Sequence, residues 1–311
     1  MPAGPVPTVP STEPAALSAP PPPRPRPAGA TGRRGRPGGR LGRARLAAAR
    51  LYSRVLMRRP PADWSVPFAD GRYGPAEPAD GRPLTLLMLG DSLARSLGAG
   101  RREETLGARL AEGLGRRLDR SVDLRVLARV GATTAGLRHQ VVRAARLRPG
   151  LAVLIVGGND ALLPVPLGRS GRRFAHLLGA LREAGWELVV VPCPDPGYAP
   201  GFRAPARWWG GRRSHRLARL QSRAAERAGA VPAPASEAEF HDRADELLGP
   251  DGVHPSPLGY AEHAERMLPS LLAAADRSDR ARAARTARAA RTARAARTAG
   301  AAGSAAAAGP S

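Results

Sequence analysis

Four short apolar runs, separated by segments with helical spacing, constrain most strongly what this chain can fold into. The runs are 84–89 (LTLLML), 122–127 (VDLRVL), 151–156 (LAVLIV) and 186–191 (WELVVV). Each has the length of a β-strand, and the third is continuously apolar, as expected of a strand that is covered on both faces. Strands that alternate with helices form a parallel sheet with helices on both sides, so the sequence predicts an α/β fold.

Helical spacing of apolar residues predicts helices between and after these runs. The predicted helices are 103–118, 134–147, 174–184, 212–228 and 257–275. A fifth strand has only a weak candidate, 230–234, which contains Pro232 and Pro234. Because proline cannot donate a hydrogen bond to a sheet, we expect this segment at an edge of the sheet or outside it.

The positive charge of the chain is concentrated at its two ends. All 49 residues counted as Lys or Arg are arginine, and 26 acidic residues leave a net charge of +23. Residues 1–60 hold 12 Arg and one acidic residue, residues 277–311 hold eight Arg and one acidic residue, and the middle carries only +5. We therefore interpret 61–276, which is long enough for a full core, as the folded domain and both ends as tails.

The compositions of the tails do not support a packed core. Residues 1–40 are rich in Pro, Gly, Ala and Arg and are predicted to be disordered, whereas 41–57 could form a short basic amphipathic helix on an anionic surface. Residues 281–298 repeat Ala-Arg-Ala-Ala-Arg-Thr three times. A period of six gives no apolar helix face, so we predict a disordered C-terminal tail that forms at most a transient helix, polar on all sides.

Several classes of protein are excluded by what the sequence lacks. A single cysteine, Cys193, rules out an intramolecular disulfide framework and a cysteine-rich metal site. No apolar run approaches the roughly 18 residues of a transmembrane helix, and the N-terminus lacks the basic and apolar regions of a secretory signal. We therefore expect a cytoplasmic protein, with peripheral association at an anionic membrane surface left open.

The arginine-rich tails raise the question of nucleic-acid binding, because arginine runs bind phosphate backbones. The chain has no recognition-helix signature, no RNA-binding motif and little aromatic interleaving. We expect no specific nucleic-acid partner, only weak electrostatic attraction of the tails to anionic surfaces. The sequence makes no prediction of the oligomeric state.

Polar and small residues follow the predicted strands at the points where ligands bind in open parallel sheets. Gly90-Asp91-Ser92 follows the first strand, Gly131 lies in Val-Gly-Ala-Thr-Thr after the second, and Asn159 lies in Gly-Gly-Asn-Asp after the third. Asp251 and His254 precede the last helix. The sequence therefore predicts that these residues meet on one rim of the sheet.

These residue types suit nucleophilic catalysis. A serine hydroxyl such as that of Ser92 is a poor nucleophile until a base takes its proton, and His254 is the natural base because its ordinary pKa lies near physiological pH. Asp251, three residues earlier, can hold the required imidazole tautomer. The backbone N–H groups of Ser92 and Gly131 and the Asn159 amide are candidate donors to a developing oxyanion.

The four motifs, in this order, resemble those of the SGNH hydrolases, the GDSL family of esterases and lipases. The resemblance covers about 84–275 and implies a three-layer α/β/α, flavodoxin-like fold. It implies Ser92 as nucleophile, His254 as base and acid, Asp251 as the orienting carboxylate, and Ser92, Gly131 and Asn159 as the oxyanion hole. A serine ester hydrolase that forms an acyl-enzyme is thus expected, acting on a small-molecule, lipid or sugar ester without a metal or organic cofactor.

Two other functions remain open from the sequence. The same triad could transfer the acyl group to a sugar or lipid hydroxyl, and the chain could instead be a non-catalytic, surface-associated module with basic tails. Asp160 is expected to form structural hydrogen bonds rather than to catalyse, and Cys193 to be a packed thiol. The family offers no motif for 197–211, where Trp208 and Trp209 could line an acyl pocket, form a lid or pack ordinarily.

Overall fold

The computed structural model describes residues 58, 60–62, 64–76, 80–235 and 237–307. The predicted disordered segment 1–40 and the candidate amphipathic helix at 41–57 lie outside these residues. Within the described part, one sheet contains six strands, in the order β1-β3-β2-β4-β5-β6. The strands are β1 (Gly71–Tyr73), β2 (Asp80–Gly90), β3 (Arg120–Val126), β4 (Leu151–Ile155), β5 (Glu187–Val191) and β6 (Val231–Pro232).

Helices connect the strands and cover both faces of the sheet. Two short 3₁₀ turns, Arg102–Glu104 and Pro196–Tyr198, lie within the connections. The α-helices of the described part are α1 (Ser92–Arg95), α2 (Leu106–Leu118), α3 (Thr134–Ala144), α4 (Gly158–Leu162), α5 (Leu167–Glu183), α6 (Ala204–Arg227), α7 (Glu237–Asp242), α8 (Ala244–Leu247) and α9 (Pro257–Ala307).

The predicted parallel sheet is confirmed. Strands β2 to β6 are parallel to one another, and β2 lies between β3 and β4. The weak fifth strand exists as the two residues of β6 and lies at the edge, where the missing N–H of Pro232 does least harm. The sequence did not predict β1, a three-residue strand that pairs antiparallel with β3 at the other edge and is too short to show alternation.

The core has two halves because successive residues of β2 point to opposite faces of the sheet. Leu86 and Met88 belong to one buried cluster, with residues of α2 and α9. Leu87 and Leu89 belong to a second cluster, with residues of α3 and α5. Helices therefore pack on both faces of the sheet, which confirms the three-layer α/β/α architecture.

Two helices begin earlier than the apolar spacing predicts. Helix α5 starts at Leu167 rather than at 174, and α6 starts at Ala204 rather than at 212. In α5 the added residues are mainly glycine and arginine, which give no apolar signal. Helix α6 starts where Pro205 occupies its first turn, a position where the missing N–H of proline costs no hydrogen bond.

The C-terminal segment, which the sequence predicts to be disordered with at most a transient polar helix, instead continues α9 as far as Ala307. From Arg280 to Thr292 every side chain is exposed. This matches a repeat of alanine and arginine, which forms helix readily but has no apolar face to pack. Among the described helices, none is both long and apolar enough to cross a membrane.

Candidate active site

The sharp turn between β2 and α1 presents Ser92. Gly90 has φ +139°, and a Cβ atom there would lie 1.8 Å from the carbonyl oxygen of Ile155, so the turn requires glycine. The Asp91 carboxylate caps α1 by accepting a hydrogen bond from the Leu93 N–H at 3.1 Å. Because Ser92 is the first residue of α1, its own N–H has no acceptor within the helix.

The structure brings together the three residues predicted as a triad. The Nε2 atom of His254 lies 2.9 Å from the Ser92 hydroxyl oxygen, and its Nδ1 atom lies 2.6 Å from Oδ2 of Asp251. The other carboxylate oxygen of Asp251 accepts hydrogen bonds from the backbone N–H groups of Val253 and His254. An imidazole with its proton on Nδ1 donates to Asp251 and leaves Nε2 to accept the serine proton.

The surroundings of Asp251 keep its carboxylate charged. Burial acts to raise the pKa of Asp251, but the hydrogen bond and charge of His254, together with the two backbone donors, outweigh burial and lower that pKa below its ordinary value. Both Asp251 and His254 are buried. A negative charge is thus available beside the imidazole if the ring gains a proton.

The two other predicted residues follow strands β3 and β4, the neighbours of β2, on the same rim. Gly131 lies in the exposed turn between β3 and α3 with φ +74°, and no atom lies within 4 Å of where a Cβ would be. Asn159, in the first turn of α4, donates from Nδ2 to the carbonyl oxygen of Ala132 at 3.0 Å. A primary amide has two N–H donors, so this contact fixes Asn159 beside the Gly131 turn and leaves one donor over.

Two buried glutamines, which the sequence analysis did not identify, hold the strand ends of this rim. Gln140 donates to the carbonyl oxygen of Gly90 and accepts from its N–H, both at 2.7 Å. Gln221 donates to the carbonyl oxygen of Val156 and accepts from the N–H of Cys193. The available signal was a glutamine at an otherwise apolar helix position, since each lies on the buried face of its helix.

Two buried aspartates support the loops of the site. Asp160 accepts hydrogen bonds from the Thr134 N–H at 2.7 Å and from the Ser170 hydroxyl at 2.6 Å, which joins α3, α4 and α5. Burial raises the pKa of Asp160, although these hydrogen bonds act to lower it. Burial also raises the pKa of Asp91, from its ordinary value of 3.8 to about 7.

Neither tryptophan of α6 is packed into the core. The Trp208 side chain is 63% exposed and Trp209 is 43% exposed, with the guanidinium groups of Arg212 and Arg213 over their respective rings. Arg213 also fixes the loop after Asn159, because its guanidinium donates to main-chain carbonyl groups there. The acceptors are Asp160, Ala161, Leu163 and Val165.

Metal chemistry has no candidate centre among the residues that the structure describes. No group of three or more His, Cys, Asp or Glu side chains in these residues could hold a metal ion. Cys193 is buried, and its backbone N–H donates to the Gln221 side chain at 2.7 Å. The rim presents a serine hydroxyl, an imidazole and hydrogen-bond donors.

Two comparisons with known proteins agree on the same family. The model of the GDSL-like Lipase/Acylhydrolase family matches residues 88–262. A GDSL-like esterase of Mycobacterium tuberculosis is 33% identical over 220 residues, which cover 66% of this chain and 69% of that protein.

Solved structures share the fold. The crystal structure of TesA matches with a TM-score of 0.51 and 22% identity, covering 61% of this chain and 99% of that one. A lipolytic protein of the G-D-S-L family from Veillonella parvula matches with a TM-score of 0.50 and 12% identity, covering 60% of this chain and 97% of that one. At these identities the likeness concerns the fold alone.

Proposed function

Because this chain belongs to the GDSL-like lipase/acylhydrolase family and is a carboxylic ester hydrolase of the SGNH type, we propose that it cleaves esters through a Ser92–His254–Asp251 triad. The reaction passes through an acyl-enzyme on Ser92. The substrate is a small-molecule, lipid or sugar ester, and water is the final acceptor of the acyl group.

One observation carries this proposal. Residues 162 positions apart in the chain form a continuous hydrogen-bonded series, from the Ser92 hydroxyl through both ring nitrogens of His254 to the Asp251 carboxylate. Each distance is within the range of a direct hydrogen bond. A histidine in a loop has no structural need to join a buried carboxylate to a serine at a helix start, whereas acyl transfer needs all three groups.

In the acylation step, Ser92 Oγ attacks the ester carbonyl carbon while its proton moves to Nε2 of His254. The carbonyl electron pair moves onto the oxygen, and the N–H groups of Ser92 and Gly131 and the free Asn159 N–H stabilise the resulting oxyanion. When the intermediate collapses, the bond to the alcohol oxygen breaks and His254 returns its proton to the leaving alkoxide. The acyl group remains as an ester of Ser92.

In the deacylation step, His254 takes a proton from water, and the hydroxide oxygen attacks the acyl carbon. The second tetrahedral intermediate uses the same donors. Collapse breaks the bond to Ser92 Oγ, which regains its proton from His254, and the carboxylic acid leaves. The Asp251 carboxylate stabilises the imidazolium that forms in both steps and is not itself protonated.

The proposal is tested by labelling with a fluorophosphonate and by hydrolysis of a short-chain aryl ester. We expect the wild type to be labelled and active, and Ser92→Ala and His254→Ala to lose both properties while remaining folded. Ser222→Ala, on α6, is the matched control and keeps both. Equal labelling and turnover by Ser92→Ala, or a folded wild type that is neither labelled nor active, would overturn the triad mechanism.

The same assay separates hydrolysis from acyl transfer. With a short-chain aryl ester as donor, glycerol or a simple sugar is added as a competing acceptor, and the products are analysed. We expect free acid to remain the main product. A dominant transesterification product would assign the acyl-enzyme to a transferase instead.

A further inference from the structure

The chain upstream of the sheet lies against the loop that carries the catalytic acid and base. The Arg58 N–H donates to the carbonyl oxygen of Gly201 at 2.8 Å, and the Gly201 N–H donates to the carbonyl oxygen of Gly252 at 2.9 Å. Gly252 lies between Asp251 and His254 in sequence. A short turn then places Trp64, whose N–H donates to the carbonyl oxygen of Pro61 at 3.2 Å.

The indole of Trp64 is in direct contact with the imidazole of His254. The ring centroids are 6.3 Å apart and the ring planes are inclined by 75°, which is an edge-to-face arrangement. Asp251 hydrogen-bonds one ring nitrogen of His254 and Ser92 the other. The tryptophan therefore contacts a ring whose two nitrogens are both engaged in the triad.

The same indole also packs on two glycines that belong to the two halves of the site. A Cβ atom at Gly98, just after the nucleophile helix α1, would lie 3.3 Å from the indole Cη2 atom. A Cβ atom at Gly249 would lie only 2.8 Å from the same atom. The Gly249 N–H donates to the carbonyl oxygen of His254 at 2.8 Å, so Gly249 belongs to the loop that carries His254.

Trp64 thus stands between the segment that carries Ser92 and the loop that carries His254. A second contact joins the segment after Ser92 to α9, the helix that follows the His254 loop: the buried Tyr260 hydroxyl donates to the carbonyl oxygen of Leu97 at 2.8 Å. Tyr260 joins the two backbones through this hydrogen bond, and the indole packs against a glycine of each segment. Both contacts act on the separation between Ser92 Oγ and Nε2 of His254.

We propose that Trp64 is a positioning residue that holds the His254 ring in line with Ser92. The inference rests on the proposed esterase mechanism and adds a residue that lies outside the four motifs. Without the indole, the His254 ring loses this edge-to-face packing contact and can rotate away from Ser92. A displacement of about 1 Å between reacting groups can reduce a rate about a hundredfold.

A residue that positions His254 and a residue that lines the substrate pocket have different kinetic effects. A positioning residue acts on the activation of Ser92, so its loss lowers kcat and leaves KM nearly unchanged. It also slows the reaction of Ser92 with a small phosphonylating reagent, which has no long acyl chain or alcohol group to bind. Loss of a residue that lines the substrate pocket would instead change KM.

The experiment compares Trp64→Ala, Trp64→Phe and the control Trp208→Ala in the full chain. We expect Trp64→Ala to lower both kcat for a short-chain aryl ester and the rate constant of fluorophosphonate labelling, by a similar factor of about 10 to 100. Trp64→Phe, which keeps an aromatic edge, recovers most of both rates. Trp208→Ala, which removes an exposed indole, stays within about twofold of the wild type in both.

A second variant separates positioning from loss of folding. Gly249→Ala keeps the indole but pushes a methyl group against it, so we expect the same joint loss of kcat and labelling rate. Labelling of both Trp64→Ala and Gly249→Ala at the wild-type rate overturns the inference, as does a rise in KM with an unchanged labelling rate. A wild type that is neither labelled nor active overturns the proposed function itself, whereas an active wild type that both variants equal overturns only the role of Trp64.

Discussion

Gln140 satisfies both backbone polar groups of Gly90, with two hydrogen bonds of 2.7 Å between its side-chain amide and that residue. Gly90 is the last residue of β2 and precedes the Asp91–Ser92 turn. A side chain on α3 thereby holds the end of the strand that leads into Ser92, the proposed nucleophile. The contact is buried, so its loss leaves the Gly90 N–H without water to replace the amide, whereas the Gly90 carbonyl oxygen still accepts from the Arg129 N–H at 3.1 Å.

We predict that Gln140→Leu lowers both stability and activity. A buried polar group left without a partner costs about 1–3 kcal/mol, and here only the Gly90 N–H loses its partner, so the free energy of unfolding should fall by about that amount. The rate should fall more than about tenfold, because the turn that presents Ser92 loses its anchor. Urea unfolding and ester hydrolysis measure the two effects.

Gln221→Leu is the matched control for that variant. Gln221 makes the same pair of contacts, but to Val156 and Cys193, which lie beyond the adjacent strands β4 and β5. Its replacement should cost similar stability and change kcat by less than about threefold. An equal loss of kcat in both variants would show that general loosening, rather than the anchoring of Gly90, lowers the rate.

Asp91 should make the protein less stable as pH rises. Burial raises the pKa of Asp91 from 3.8 to about 7. Below about pH 4 the carboxyl is protonated in both states, and between about pH 4 and 7 the unfolded chain ionises while the folded chain keeps its proton. Stability therefore falls through this range and levels off above it, by an amount on the order of 4 kcal/mol.

Asp91→Asn removes this pH dependence and keeps the helix cap, because an asparagine oxygen can accept from the Leu93 N–H. The gain in free energy of unfolding over the wild type should therefore be larger at pH 8 than at about pH 4. Urea unfolding of both proteins at several pH values measures this difference. A difference that does not vary with pH would show that Asp91 is already ionised in the folded protein at low pH.

Asp251→Asn should abolish most activity without unfolding the protein. An amide can present an N–H to Nδ1, which favours the imidazole tautomer that cannot accept the Ser92 proton. In a serine protease the same change lowers kcat by about 10⁴. Asp242→Asn is the control, since Asp242 also contacts a neighbouring histidine, His241, but at the exposed surface. Comparable kcat values for both variants would contradict the role of Asp251.

The C-terminal limit of the folded domain should lie beyond residue 276. The buried Arg120 guanidinium donates to both carboxylate oxygens of Asp279, at 3.2 and 3.3 Å. A chain that ends at Asp276 loses this carboxylate, so we expect it to be less stable by about 1–3 kcal/mol, since Asp279 is half-exposed. A chain that ends at Arg282 should match the full chain. Thermal unfolding tests the pair, and equal stability of both truncations would place the limit at 276 after all.

Much of the fold could be predicted because its signals are local. The buried strands β4 and β5 are apolar along nearly their whole length, and α2 repeats leucine every four residues. The edge strand β1 was missed because three residues carry no periodicity and its pairing with β3 depends on the whole sheet. The same holds for the start of α6, where Trp208 and Trp209 look like core residues but are exposed.

The residues of the candidate site likewise fall into those that the sequence predicts and those that it does not. Short sequence motifs contain four of the predicted site residues, and the residue types and order of these motifs indicate the proposed chemistry. These residues are Ser92, Asn159, Asp251 and His254. Gln140 is a single polar residue whose partner lies 50 positions away, and Trp64 contacts His254 from a segment that has no motif. Such supports are defined by three-dimensional proximity, which a lone sequence does not contain.

The wide separation in sequence between Ser92 and His254, 162 positions, has a consequence for how activity appears during refolding. Once β2, β3 and β4 have paired, we expect Ser92 and the candidate oxyanion donors to be in place, whereas His254, the proposed base, is not yet beside them. Contacts between distant parts of a chain are the slow ones to form. During refolding, ester hydrolysis should therefore recover later than the helical circular dichroism signal. The delay measures how long the loop that carries His254 takes to dock against the folded sheet.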